Sequence, residues 1–284
     1  MSGRLRSQAE RVLERAERDL AAGGVPSPRV DAELLLSHVT GVPRSMLAHR
    51  AQLGAEQLAA YLKLVEARSR RVPLQHLTGS AAFRYVDLEV GPGVFVPRPE
   101  TELLAGWAID EVGRRGAGAV VVDLCTGSGA IALSLVHEQP AAQVHAVELD
   151  EQAVGWAERN LLGTGVDLRQ GDAFDAFGDL DGTVDVVVCN PPYIPLEAWE
   201  GVAPEARDHD PSLALWSGQD GLDAMRRLES TAWRLLRPGG VVGAEHADAQ
   251  GESAPAAFRE RWEDVEDHLD LAGRPRFVTA RRPA

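Results

Sequence analysis

Residues 121–131 read Val121-Val122-Asp123-Leu124-Cys125-Thr126-Gly127-Ser128-Gly129-Ala130-Ile131. An apolar run ends at Leu124, a glycine turn follows, and a helical pattern begins near Ala130. The two glycines allow backbone angles and a close approach that a Cβ would forbid. This is a buried strand passing through a tight turn into a helix, the opening of a βαβ unit. The rest of the chain continues in kind. Apolar runs at 119–124, 144–147, 184–189 and 241–244 alternate with helical patterns at 130–137, 151–161 and 222–236. Val-rich runs separated by helices predict an α/β fold with a mostly parallel sheet covered on both faces.

Upstream, residues 1–78 read as helices only. Ser7 can cap a helix through Val12, Leu13 and Leu20 that stops at Gly23-Gly24, and Ser27-Pro28 starts a second that ends at Gly41. A short helix after Pro43 and a longer one from Ala55 to Arg70 complete a small bundle of recognition type. Between 79 and 96 the period shortens: Phe83, Tyr85, Val86, Leu88, Val90, Val94 and Val96 alternate, with a turn signal at Gly91-Pro92-Gly93. We expect a β-hairpin there, linking the helical domain (1–78) to the α/β domain (97–284), with Pro99 opening a helix.

Composition narrows the function classes. The chain of 284 residues carries a formal charge of -14, with Lys63 its only lysine. Such a surface argues against a protein that holds nucleic acid by neutralising phosphates. Cys125 and Cys189 are too few for a disulfide framework, which suggests a reducing compartment. The charged pattern of residues 1–20 is unlike a signal peptide, and no apolar run is long enough to span a membrane. The expectation is a cytoplasmic protein with no membrane contact.

Two sites carry chemistry. At the first, the helix N-terminus after Gly129 offers free N–H groups to a polar ligand. Glu148 follows 19 residues later at the end of the next strand, where a carboxylate can accept both hydroxyls of a ribose. A dinucleotide and S-adenosylmethionine (SAM) both fit that pair. The second site decides between them: the strand Val184-Asp185-Val186-Val187-Val188-Cys189 runs straight into Asn190-Pro191-Pro192-Tyr193. Prolines stiffen the turn and bring no N–H of their own. The Asn190 side-chain oxygen and the Pro191 carbonyl become two acceptors in one rigid arc. Such an arc suits a planar NH₂ group, whose flat face Tyr193 can stack upon.

Asp-x-x-Thr-Gly-Ser-Gly, an acidic strand end and Asn-Pro-Pro-Tyr together resemble the class I SAM-dependent methyltransferases that modify planar NH₂ nitrogens. Phe95-Val96-Pro97-Arg98-Pro99-Glu100-Thr101-Glu102 is more specific and is similar to the signature of the HemK/PrmC family. Blocks resembling that family extend over nearly the whole chain, from Asp31-Ala32-Glu33 and Pro73-Leu74-Gln75-His76 to Pro238-Gly239-Gly240, Glu245-His246 and Asp270-Leu271-Ala272-Gly273. The resemblance implies a Rossmann-like fold with an antiparallel last strand near residues 276–279. It implies methylation of the side-chain amide nitrogen of the Gly-Gly-Gln glutamine in peptide chain release factors, with S-adenosylhomocysteine as product.

By the same resemblance, Cys125, Thr126, Gly127, Ser128 and Gly129 wrap the methionine end of SAM and Glu148 binds its ribose. Asp172 and Ala173 border the adenine. Asn190, Pro191, Pro192 and Tyr193 hold the target amide, with Asn190, Pro191 and Tyr193 as catalytic residues and Asn190 also beside the cofactor. Ala173 stands where relatives often carry a larger hydrophobe, and His209-Asp210-Pro211-Ser212 departs from the usual run. The alternatives are a ribosomal-protein glutamine methyltransferase and a nucleic-acid amino-methyltransferase; the acidic surface disfavours the second. No metal is expected, since the histidines show no ligand spacing and the two cysteines read as small hydrophobes. The expected partner is a release factor, with no direct nucleic-acid contact, and the enzyme is expected to act as a monomer.

Overall fold

The computed structural model describes residues 7–50 and 52–284; residues 1–6 of the charged N-terminal pattern lie outside the described residues. The chain forms two compact units, Met1–Ser80 with Ala203–His209, and Ala81–Val202 with Asp210–Ala284.

The first unit is helical: α1 (Gln8–Ala22), α2 (Pro28–Thr40), α3 (Leu47–Arg50), α4 (Ala55–Ser69) and α5 (Leu74–Thr78). Ser7 caps α1 in a reciprocal box, its Oγ accepting from the Glu10 N–H while Glu10 accepts from the Ser7 N–H. Ser27 makes no such bond, so Pro28, with its preset φ, starts α2 alone. Leu13, Leu20, Leu35, Leu36 and Tyr61 fill the core, and the buried Tyr61 hydroxyl donates to the Ala32 carbonyl at 3.1 Å.

Residues 203–209 join this unit for an electrostatic reason. Glu205, in the short helix Pro204–His209, accepts from Arg68 at 2.9 Å and Arg71 at 2.6 Å. Arg68, almost wholly buried, also donates to Asp31 at 2.7 Å. A division into 1–78 and a continuous 97–284 therefore misses one excursion of the chain.

A two-stranded hairpin, β1 (Ser80–Phe83) and β2 (Val86–Glu89), begins at the last residue of the segment Met1–Ser80 and continues into the second unit, followed by α6 (Thr101–Arg115). There follow β3 (Val120–Leu124), α7 (Ala130–Glu138), β4 (Gln143–Glu148), α8 (Glu151–Leu161), β5 (Asp167–Gln170) and β6 (Val184–Cys189). The helix Asp223–Leu235 leads to β7 (Leu236–Glu245), β8 (Glu263–Leu269) and β9 (Pro275–Arg281). The order is β5-β4-β3-β6-β7-β9-β8, parallel from β5 to β7. As the family resemblance implies, β9 is antiparallel.

The sequence reading missed β5 and β8. Both are edge strands; β8, Glu263-Asp264-Val265-Glu266-Asp267-His268-Leu269, is charged as exposed edges are and carries no apolar run. Successive residues of β3 divide the core, Val121 packing with α6 and α7, Val122 with the helix Asp223–Leu235.

The hairpin turn falls at Arg84-Tyr85, not at Gly91-Pro92-Gly93. Arg84 adopts φ 50° and is held by a two-bond ion pair to Glu138. The glycine triplet instead lies against α8: a Cβ on Gly91 would come within 2.5 Å of the Trp156 ring, whose Nε1–H donates to the Pro92 carbonyl. Close approach requires glycine at 91, and Gly93, at φ 92°, does turn the chain, but that turn joins no pair of strands. Helix α6 starts at Thr101, two residues after Pro99, through tight turns onto the Arg98 and Pro99 carbonyls. No described helix is long and apolar enough to cross a membrane.

Candidate active site

Strand register assembles the site. Leu124 pairs with Val147 on one side and with Cys189 on the other, so Glu148, Cys125 and Asn190 leave three adjacent strands at one level. Cys189 pairs in turn with Ala244, which brings Glu245 alongside Asn190. The chain runs outward in one direction from β3 and in the other from β6, and a sheet that reverses order there opens a crevice at its carboxyl ends.

The glycine loop forms one wall of that crevice. Cys125, Gly127 and Gly129 have φ 59°, 57° and 84°, the left-handed region. The Gly127 N–H donates to Glu148 Oε2 at 2.8 Å, and the other Glu148 oxygen accepts from the Leu149 and Asp150 N–H groups. The carboxylate is thus fixed across the mouth of the loop, half-buried, while a Cβ on Gly127 would meet nothing within 4 Å. Beneath the loop, the buried Asp123 accepts from the Thr126 hydroxyl at 2.5 Å and the Ala132 N–H at 3.1 Å. Burial pushes its carboxyl up to about 7 against the pull of those two donors. Asn160 ties the loop to the hairpin, donating to the Ser128 and Glu89 carbonyls.

Asp172 and Ala173 leave β5 next to this loop, because the Gly171 N–H donates to the Glu148 carbonyl. The Ala173 side chain turns into the core. The Asp172 carboxylate is occupied: burial pushes it up, but the Phe174 N–H and Arg227 hold it below its ordinary range.

On the other wall, Asn190 and Tyr193 are half-buried and Pro191 is buried. Asn190 Nδ2 donates to Thr101 Oγ1 at 3.2 Å, Thr101 donates to Glu245 Oε2 at 2.7 Å, and the Tyr193 hydroxyl donates to Glu245 Oε1 at 3.1 Å. Glu245 is buried, and burial pushes its carboxyl up to about 7 despite the two hydroxyl donors. The Tyr193 carbonyl accepts from Gln250, and Gly221 lies so close that a Cβ there would be 2.3 Å from it. Beside the arc, Arg98 donates to the buried Asp210 at 2.6 Å and lies over the Phe95 ring. Burial raises Asp210 to about 6 against that guanidinium.

Cys125 and Cys189 are both free thiols; Cys189 sits in the core, and burial pushes its thiol up. Among the described residues, no group of three or more His, Cys, Asp or Glu side chains could hold a metal ion.

Comparison with known proteins gives the family. Residues 11–79 match the PrmC N-terminal domain and residues 102–201 the methyltransferase small domain. The release factor glutamine methyltransferase of Streptomyces coelicolor is 60% identical over 275 residues, covering 95% of this chain and 96% of its own. The chain belongs to the release factor glutamine methyltransferase family. A further relative, the 4-amino-L-phenylalanine/4-methylamino-L-phenylalanine methyltransferase of Streptomyces pristinaespiralis, is 43% identical over 258 residues, covering 88% of this chain and 87% of its own. In fold alone, the T. thermophilus 16S rRNA N2 G1207 methyltransferase, solved with AdoMet and guanosine, aligns over 72% of this chain and 49% of its own (21% identity, TM-score 0.52).

Membership in the family agrees with the class I SAM-dependent methyltransferase fold of the second unit. The structure brings together Cys125, Thr126, Gly127, Ser128, Gly129, Glu148 and the Asn190–Tyr193 arc, with Asp172 and Ala173 reached through Glu148. Sequence reasoning missed Thr101 and Glu245 as individuals. Both stand in stretches that resemble the family, but nothing in the spacing of residues 101, 190 and 245 says that they meet. His209-Asp210-Pro211-Ser212, which departs from the usual run, contributes the partner of Arg98.

Proposed function

We propose that this protein transfers a methyl group from S-adenosylmethionine to the side-chain amide nitrogen of the glutamine in the Gly-Gly-Gln loop of peptide chain release factors. The observation that carries the reading is the register of β3 with β6. It sets a two-acceptor arc for a planar NH₂ one strand away from a glycine loop with a fixed carboxylate. That loop fits the cofactor: its backbone takes left-handed angles, and the space over Gly127 is open.

When bound, SAM supplies a sulfonium-activated methyl group. Residues 125–129 would hold its amino-acid end, Glu148 its ribose hydroxyls, and residues 172–173 would border its adenine. Asn190 Oδ1 and the Pro191 carbonyl accept the two N–H hydrogens of the substrate amide, and Pro192 keeps the turn rigid. An amide nitrogen is a poor nucleophile because its lone pair is delocalised into the carbonyl. Holding both hydrogens favours pyramidalisation and aims the pair at one point. Tyr193 covers the flat face. No strong base is needed, and the excess proton leaves late; catalysis rests on positioning and preorganised polar groups. The helical unit would grip the folded release factor, and the enzyme would work as a monomer in the cytoplasm without metal or nucleic acid.

The test is incubation with labelled SAM and purified release factor, then mass spectrometry. One added methyl on the Gly-Gly-Gln glutamine is expected; label on RNA, DNA or ribosomal protein instead would defeat the reading. A second reading, transfer to a free arylamine amino acid, is favoured by the relative named for that substrate. Faster turnover of 4-amino-L-phenylalanine than of release factor would establish it.

A further inference from the structure

We propose that Thr101 and Glu245 are positioning residues that fix which end of the Asn190 carboxamide faces the acceptor nitrogen. The inference rests on the function proposed above and concerns the groups behind its site.

The two ends of a carboxamide are nearly equal in size, so shape alone does not choose between them; hydrogen-bond chemistry does. An ionised carboxylate offers lone pairs only. The Thr101 hydroxyl, 2.7 Å from Glu245 Oε2, spends its single hydrogen there. Only lone pairs remain for Asn190, which meets them with Nδ2 at 3.2 Å. Reversed, the amide would press Oδ1 against those lone pairs. With its NH₂ held by Thr101, Asn190 keeps Oδ1 for a substrate N–H. The other Glu245 oxygen takes the Tyr193 hydroxyl, so a single carboxylate anchors both ends of the arc.

Charge state governs the arrangement. Besides the Tyr193 hydroxyl, Glu245 faces Arg276 from β9, which favours its ionised form, and Glu100 ahead of α6, which opposes it. Burial nevertheless pushes the carboxyl up to about 7. Once protonated, Glu245 can itself donate to Thr101, whose hydrogen is then free to turn to Asn190 Oδ1. The enforced orientation is lost. Turnover should therefore fall on the acid side of about pH 7.

Thr101→Val removes the hydroxyl and keeps the shape. It should lower kcat roughly 10- to 100-fold, less than deleting a whole preorganised contact. The KM for release factor and the Kd for SAM should stay within about twofold, and Thr101→Ser should restore turnover. In an Asn190→Ala background the same change should cost almost nothing, because one residue acts through the other. Glu245→Gln should flatten the acid limb of the kcat profile.

Full kcat in Thr101→Val, an undiminished cost in the Asn190→Ala background, or an acid limb that survives Glu245→Gln would each overturn the proposal. Should Thr101→Val fail to fold, the Glu245→Gln profile decides it; where Thr101→Val folds, the Asn190 side-chain amide resonance gives a readout independent of activity. That resonance, read by NMR without substrate, should move in Thr101→Val and return toward its wild-type position in Thr101→Ser. A wild-type enzyme that leaves release factors unmethylated while the resonance behaves so defeats the function and leaves the positioning role standing; no movement defeats the positioning role.

Discussion

Two carboxylates near the glycine loop differ in what surrounds them, and their expected behaviour differs accordingly. Glu148 is half-buried and accepts three backbone N–H bonds, leaving it fixed and still reachable by ligand. Glu148→Ala should weaken SAM by about 1.5–3 kcal/mol, the range for losing hydrogen bonds to a charged group, as titration calorimetry would measure. Asp123 is wholly buried and its carboxyl is raised to about 7, so the folded state holds that proton more tightly than the unfolded chain does. Its contribution to stability is complete below the unfolded pKa near 4 and is lost as pH rises through about 7. Asp123→Asn keeps the acceptor for Thr126 and Ala132 and removes the titration. The unfolding free energy of the variant should lose less between pH 4 and 7, the difference being at most about 1.4 kcal/mol per pH unit. Chemical denaturation across that range would show it, and parallel curves would count against the assignment.

At the scale of elements, two devices hold the loops in place. Gly221 sits at φ 76° under the Tyr193 carbonyl, so Gly221→Ala adds backbone strain and a clash in one step. The expected result is a loss of turnover with SAM affinity retained, because the glycine loop belongs to other strands. Equal losses of both would point to general unfolding. In the helical unit, Asp31 and Arg68 are buried and Glu205 is half-buried, unlike the exposed i,i+4 pairs Arg15–Asp19 and Glu66–Arg70, which are worth about 0–1 kcal/mol. Arg68→Ala strands the buried Asp31 and should cost about 3–5 kcal/mol. Thermal unfolding would reveal it, and a cost below about 1 kcal/mol would mean that water reaches the site.

For the molecule as a whole, the governing quantity is the charge of -14. A charge of this sign suits a basic substrate surface, because opposite fields accelerate encounter to a degree that salt screens. Raising ionic strength should therefore lower kcat/KM for release factor while kcat at saturation stays level. Steady-state kinetics at several salt concentrations would decide this, and a salt-independent kcat/KM would remove the electrostatic part of the substrate argument.

The sequence by itself settled whatever depends on local periodicity and on residues adjacent in the chain. The Val-rich runs ending at Leu124 and Cys189 fixed the strands of the parallel core, since a strand buried on both faces must be apolar throughout. The glycine loop and the Asn190–Tyr193 arc were legible because each motif is contiguous. Edge strands β5 and β8 were not, because a strand that faces solvent needs no apolar run. The hairpin turn was misread for a related reason: glycine signals a need for space as well as reversal, and Trp156, which takes up that space, lies 65 residues beyond Gly91. Only the tertiary structure could bring Thr101, Asn190 and Glu245 onto one set of hydrogen bonds. Their meeting follows from the pairing of β6 with β7 and the docking of α6, contacts between segments whose separation leaves no periodic trace in the chain.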